Sequence, residues 1–136
     1  LSKPSDVYLH SLYEAEEECS DDFERKMVDA LSNCSNILWW HRVVGRRANE
    51  FCINGFINHY PDFIVRTTSG RIIAIEAKGG HLANDNSADK LAMGKQWADK
   101  AGDRFEYFMV FDKNPIPGAG SFAYLDFVNS ILPGLH

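Results

Sequence analysis

Cysteine is scarce in this chain. The three present, Cys19, Cys34 and Cys52, are odd in number and have no metal-type spacing. That excludes a disulfide framework as the expected scaffold and points to a reducing cytoplasm. Long apolar runs are missing too: none approaches the ~20 residues that cross a bilayer, so no membrane association is expected. Lys3, Asp6 and Glu14 come too early for a secretion signal. Cationic excess is lacking, since the formal net charge is −5. A passive nucleic-acid binder would be basic overall. An enzyme whose carboxylates hold a cation is not excluded, because a bound metal inverts the local potential. The chain has no glycine-rich phosphate loop ending in Lys-Ser/Thr, no nucleophile elbow, no dinucleotide loop and no Cys/His pair at catalytic spacing. An ATPase within the chain and a small-molecule α/β enzyme both lose their usual signatures.

What is present fits one domain of 136 residues with one core. The chain begins at Leu1, so it is expected to be a piece of a longer polypeptide or a processed product. Residues 1–19 read as an approach segment, with a short helix around Val7–Glu18, and residues 20–136 as the domain. The acidic run Glu14, Glu16, Glu17, Glu18, Asp21, Asp22 reads as a solvated connector that leads into a helix start. Ser20 can cap that helix, and Phe23, Met27 and Leu31 recur every four residues as its buried stripe. Ile37–Val44 is aromatic and β-branched and reads as a strand. Gly45–Glu50 is a basic turn, and Phe51–Phe56 a short strand interrupted at Asn54-Gly55. Phe63–Thr67 and Arg71–Ala77 are strands, and Gly79-Gly80 breaks the chain. Ser87–Ala101 is a second helix, with Leu91, Gly94, Ala98 and Ala101 along one face and Gly102 as its stop. Phe105–Phe111 is apolar on both parities, as a strand covered on both faces should be. Phe122, Leu125, Val128 and Leu132 suggest a closing helix. The expected architecture is α/β, a small mixed sheet flanked by helices.

Chemistry concentrates between Tyr60 and Lys78. If Thr68, Ser69 and Gly70 form a three-residue hairpin loop with Gly70 left-handed, Thr67 faces Arg71 and Asp62 faces Glu76. Opposed residues share a face with Cβ atoms ~5 Å apart. Lys78 lies two residues past Glu76 and projects from that face as well. Two carboxylates this close need a positive charge between them, and all-oxygen ligation suits Mg²⁺ or Mn²⁺. Lys78 would then hold an attacking water or brace a phosphate oxygen. Taken singly, a Pro-Asp at a strand start and an exposed Glu-x-Lys are ordinary surface features.

Pro61-Asp62, thirteen residues, then Glu76-Ala77-Lys78 resembles the PD-(D/E)xK signature of restriction enzymes, resolvases and repair nucleases. The acidic helix with Phe23-Glu24, the Pro61–Arg66 stretch and Ile75–Gly79 resemble the C-terminal nuclease domain of type III restriction subunits and related helicase-nucleases. The resemblance covers roughly residues 20–112. It implies a restriction-endonuclease-like fold of core order αβββαβ and a Mg²⁺-dependent endonuclease acting on DNA. By it, Asp62, Glu76 and the Ala77 carbonyl are metal ligands, Lys78 is the catalytic lysine, and Glu24 is an additional metal-binding acid. It also implies an ATPase or helicase motor in the same polypeptide or complex, and such cutters often form homodimers. The alternative is a nuclease-fold module that no longer cuts and serves in binding or assembly. The intact Asp62, Glu76 and Lys78 favour the enzyme.

Other candidates are expected to touch nucleic acid. Lys95 and Gln96 on the second helix occupy a place where relatives put a phosphate-contacting polar residue. Arg42, Arg46 and Arg47, with His41, form the main basic cluster. A solvated helix face and a plain charged turn explain them equally well. His59 and His81 flank the hairpin and are expected at the surface. Trp39, Trp40 and Trp97 are expected in or beside the core.

Overall fold

The structure, a computed structural model, describes residues 22–43, 52–53, 59–79 and 86–135. The approach segment, Ser20 and the whole basic turn Gly45–Glu50 lie outside the described residues. Helix α1 (Asp22–Ser32) is followed by strands β1 (Ile37–Arg42), β2 (Phe63–Thr67) and β3 (Ile72–Lys78). Helix α2 (Asn86–Ala101) leads to β4 (Phe105–Phe111) and β5 (Ser121–Ala123). An α-turn at Tyr124–Asp126, a π-turn at Phe127–Ile131 and a 3₁₀ turn at Leu132–Gly134 close the described chain. None of the described helices is long and apolar enough to cross a membrane.

The sheet has five strands in sequence order, β1-β2-β3-β4-β5. The first three form an antiparallel meander, and β4 and β5 add in parallel. A parallel step needs a crossover, and α2 supplies it between β3 and β4. The hairpin register is the one that the loop count gives: Phe63 faces Ile75, and the Thr67 amide donates to the Arg71 carbonyl at 2.9 Å. Gly70 turns the loop with φ of 95°, a conformation that costs a residue with a Cβ.

Two apolar layers cover the sheet. On one face, Phe23, Met27 and Leu31 of α1 pack on Val65, Ile73, Ile75 and Val110. On the other, Leu91, Met93 and Ala98 of α2 pack on Ala74, Tyr107, Met109 and Phe111. Strand β4 therefore buries both parities. Each large side chain in these layers stabilises the fold by roughly 1.5–3 kcal/mol. At the C-terminus of α2, Gly102 has φ of 117° and its amide reaches the Ala98 carbonyl at 3.2 Å.

Several expectations are corrected. Strand β1 ends at Arg42, with Val43 outside it. Val44 and most of Phe51–Phe56 lie outside the described residues, and Ile53 forms an isolated bridge with His59. Ala101 is exposed rather than facing the sheet. The closing helix is preceded by β5, and Leu125 is exposed. The cause is the turn ahead of it. Gly118 and Gly120, with φ of 133° and 87°, bring Ser121–Ala123 alongside Met109–Phe111, so the outer edge of β4 is paired instead of left open.

Candidate functional site

Strand β2 begins and β3 ends at the same end of the sheet, away from the hairpin loop. One step beyond the Phe63–Ile75 pair, Asp62 and Glu76 lie opposite one another. Ile64, Ala74 and Tyr107 face α2, and the period of two sends Asp62, Glu76 and Lys78 to that same face. The backbone grips Asp62 twice. Its carbonyl accepts from the Val43 amide at 2.8 Å, and its Oδ2 accepts from the Ala77 amide at 2.7 Å. Strand alternation turns the Ala77 carbonyl to the same edge as that amide.

Glu76 is buried, and its two oxygens differ. Oε2 lies 3.3 Å from Lys78 Nζ and 3.9 Å from Lys90 Nζ. Oε1 is buried and accepts from no amide, hydroxyl or ammonium, and the protonated Asp62 carboxyl donates a hydrogen bond to the Glu76 carboxylate. Burial pushes the Asp62 carboxyl well above the usual carboxylate range, helped by the negative charges of Glu76 and Glu24 and opposed by the Ala77 amide. Burial also raises Glu76, and Lys78 and Lys90 pull it back down. The two acids thus compete for ionisation, Asp62 being the one held protonated, and a cation between them would relieve both.

Beneath the acids sits a pair that sequence reasoning missed. His59, expected at the surface, is 2% exposed. Its Nε2 is 2.6 Å from the Tyr107 hydroxyl, also buried, with the rings edge to face. Burial, then Lys90 and then Lys78, lower the His59 pKa to about 4. The Tyr107 hydroxyl is pushed up by burial and by the charges of Glu76 and Asp62.

Glu24 stands on the α1 side. Its Oε1 is 2.8 Å from Arg42 Nε, with both side chains mostly buried. It acts on Asp62 through its charge, but no group of three or more His, Cys, Asp or Glu side chains placed to hold a metal occurs among the described residues. Asp62 and Glu76 are therefore a two-acid site, and Glu24 is not drawn into it as a further ligand. The same pair corrects Arg42: its guanidinium is occupied by Glu24 and only 16% exposed, where a phosphate-gripping arginine would project. Lys95 lies over Gly120 and Gln96 is exposed. The α2 cation beside the acids is Lys90, one helical turn before the inward-facing Gly94, a signal the 3.6-residue period carried. Arg46, Arg47 and His81 lie outside the described residues. Trp40 is fully buried and Trp39 and Trp97 half-buried, as expected.

The donor set suits a hard divalent cation. It offers the buried Glu76 Oε1, which no amide or ammonium occupies, a second carboxylate whose ionisation burial opposes, and the Ala77 carbonyl. A groove of about 430 Å³ lined by Ala30, Cys34, Val128 and Leu132 lies at the opposite, hairpin-loop end of the molecule. No family model, curated protein or solved structure matches the chain.

Proposed function

We infer that the chain is a metal-dependent endonuclease unit with a restriction-endonuclease-like fold that hydrolyses DNA phosphodiesters. The observation that carries this reading is the Asp62–Glu76 pair, Glu76 buried and Asp62 half-buried, with the Lys78 ammonium 3.3 Å from Glu76, at the open end of one hairpin. The α–β–β–β–α–β order of the first six elements supports the fold assignment.

Asp62, Glu76 and the Ala77 carbonyl would hold Mg²⁺ or Mn²⁺. When bound, the ion supplies positive charge to the scissile phosphate and acidifies a water. The chain's own groups do the rest. The Ala77 amide fixes the Asp62 carboxyl. Lys78 sits beside the acids, where its ammonium orients a water and stabilises charge that develops on phosphate oxygens. Lys90 adds a second positive charge at the same carboxylate, so an anionic substrate meets local attraction despite the net charge of −5. A helicase or ATPase motor in the same polypeptide or complex, a homodimer for double-strand cutting and a cytoplasmic setting belong to the same reading.

One observation favours the non-cutting alternative: Lys78 and Lys90 already neutralise Glu76 without a metal. Incubation with supercoiled plasmid separates the two. Nicking that requires Mg²⁺ and is lost in Glu76→Ala is the expected result; DNA binding with no nicking in Mg²⁺ or Mn²⁺ would favour the silent module.

A further inference from the structure

Tyr107 lies on β4, in register with Ala74 of β3. His59 belongs to the segment that enters β2 on the far side of β3. The hydrogen bond between them therefore crosses over β3 next to the residues that precede Glu76. Three features build this crossing. Ala74 is small and fully buried, which leaves the sheet face low enough for a ring to lie across it. Gly94 of α2 supplies the space above, since a Cβ there would come within 2.3 Å of the Tyr107 ring. His59 is anchored on its other side, because its amide and carbonyl both pair with Ile53, at 2.9 and 2.7 Å. From that anchor Asp62 is three residues away, and Pro61 between them has its φ fixed by its ring.

We propose that His59 and Tyr107 are positioning residues for the acid pair: their buried hydrogen bond ties the segment carrying Asp62 to β4 and holds the Asp62 carboxyl in place against the Ala77 amide. The catalytic consequence rests on the nuclease reading, whereas the positioning does not. Asp62 precedes the first paired residue of β2, so its side chain can swing out of the site unless it is held. One backbone hydrogen bond from Ala77 opposes that movement at the tip of the side chain. The His59–Tyr107 bond opposes it at the base of the segment.

The Ala77 amide is a direct reporter, because it is the donor to Asp62 Oδ2. Tyr107→Phe keeps the ring under Gly94 and removes only the hydroxyl, and His59→Gln keeps a polar side chain of similar reach. Amide exchange should then show Ala77 losing protection by about tenfold or more in both variants, while the core amides of Val65 and Ile75 keep theirs. In Mg²⁺ with plasmid, the same variants should lose roughly tenfold in kcat with KM little changed. Unchanged Ala77 protection in the folded variants overturns the proposal. So does equal loss at Ala77, Val65 and Ile75, or failure of both variants to fold, since either makes the bond a general structural one. If wild type does not nick plasmid, the nuclease reading fails, and the exchange data still decide the positioning claim.

Discussion

Asp62 Oδ2 accepts a 2.7 Å hydrogen bond from the amide of Ala77, the residue between Glu76 and Lys78. The acid at the start of one strand is thereby locked to the backbone of the next, between the two other groups of the site. A structural acid seldom sits where burial and a neighbouring carboxylate both oppose its charge, and such perturbed groups gather at functional sites.

That opposition predicts a gain in stability on mutation. Asp62 and Glu76 have folded-state pKa values raised by burial. Raised acids destabilise the fold as pH rises through the folded value. Asp62→Asn keeps an oxygen for the Ala77 amide and removes the charge. Its Tm at pH 7.5 should rise by roughly 2–5 °C while metal binding and cleavage are lost together. Differential scanning calorimetry beside the plasmid assay checks both; a destabilised variant would contradict the opposition.

Lys78 should behave differently from the acids. It is not a ligand, and Lys90 remains 3.9 Å from Glu76 when it is removed. Lys78→Ala should keep the fold and most Mn²⁺ affinity and lose 10²-fold or more in rate, the order expected for one positioned electrostatic group. Single-turnover nicking and calorimetric Mn²⁺ titration on one preparation separate the two effects. Undiminished cleavage would remove Lys78 from the mechanism.

Acid sensitivity should carry the mark of His59. Its folded pKa is about 4, against 6.5 for the free side chain. A depressed folded value means that the unfolded chain binds the extra proton between those two pH values. Stability from this group is full above about pH 6.5 and is lost as pH falls toward 4, by about 3 kcal/mol over the window. Asp62 and Glu76 act with the opposite sign there, since protonation relieves them. Chemical denaturation from pH 7.5 to 4.5 should therefore show a flatter acid loss in His59→Gln than in wild type and a steeper one in Asp62→Asn.

Gly94→Ala is a test of packing beneath the site. The added methyl meets the Tyr107 ring at 2.3 Å, and the ring is pinned by His59. Overpacking at a fixed neighbour should cost about 2–3 kcal/mol. Adding Tyr107→Leu to Gly94→Ala should recover part of that cost in urea denaturation, because the smaller side chain makes room.

Local features of the fold were legible in the sequence. Gly70 and a three-residue loop set the register that faces Asp62 with Glu76, and the spacing of Phe23, Met27 and Leu31 set the buried side of α1. What escaped depends on partners far along the chain. His59 carries no local sign of burial, because its partner Tyr107 is 48 residues away. Lys90 was passed over for Lys95 although Leu91, Gly94 and Ala98 marked the inward face of α2; which turn of that face lies beside Glu76 is set by a contact between residues 14 apart. Arg42 read as a free cation in a basic cluster, and its engagement depends on how α1 packs on β1. Strand β5 is three residues long and exists because two glycines turn it back along β4.

The most direct measurement is calorimetric titration of Mn²⁺ into the wild-type chain and into Glu76→Ala at pH 7.5. Glu76 offers a buried oxygen that no amide or ammonium occupies, and Asp62 is pushed toward its protonated form, hydrogen-bonded to Glu76, until a cation arrives. Saturable binding of one or two ions by wild type, with proton release that varies with buffer ionisation enthalpy, and no binding by Glu76→Ala, is the predicted result. Absence of binding in wild type, or equal binding in the two proteins, would contradict a metal site at Asp62 and Glu76.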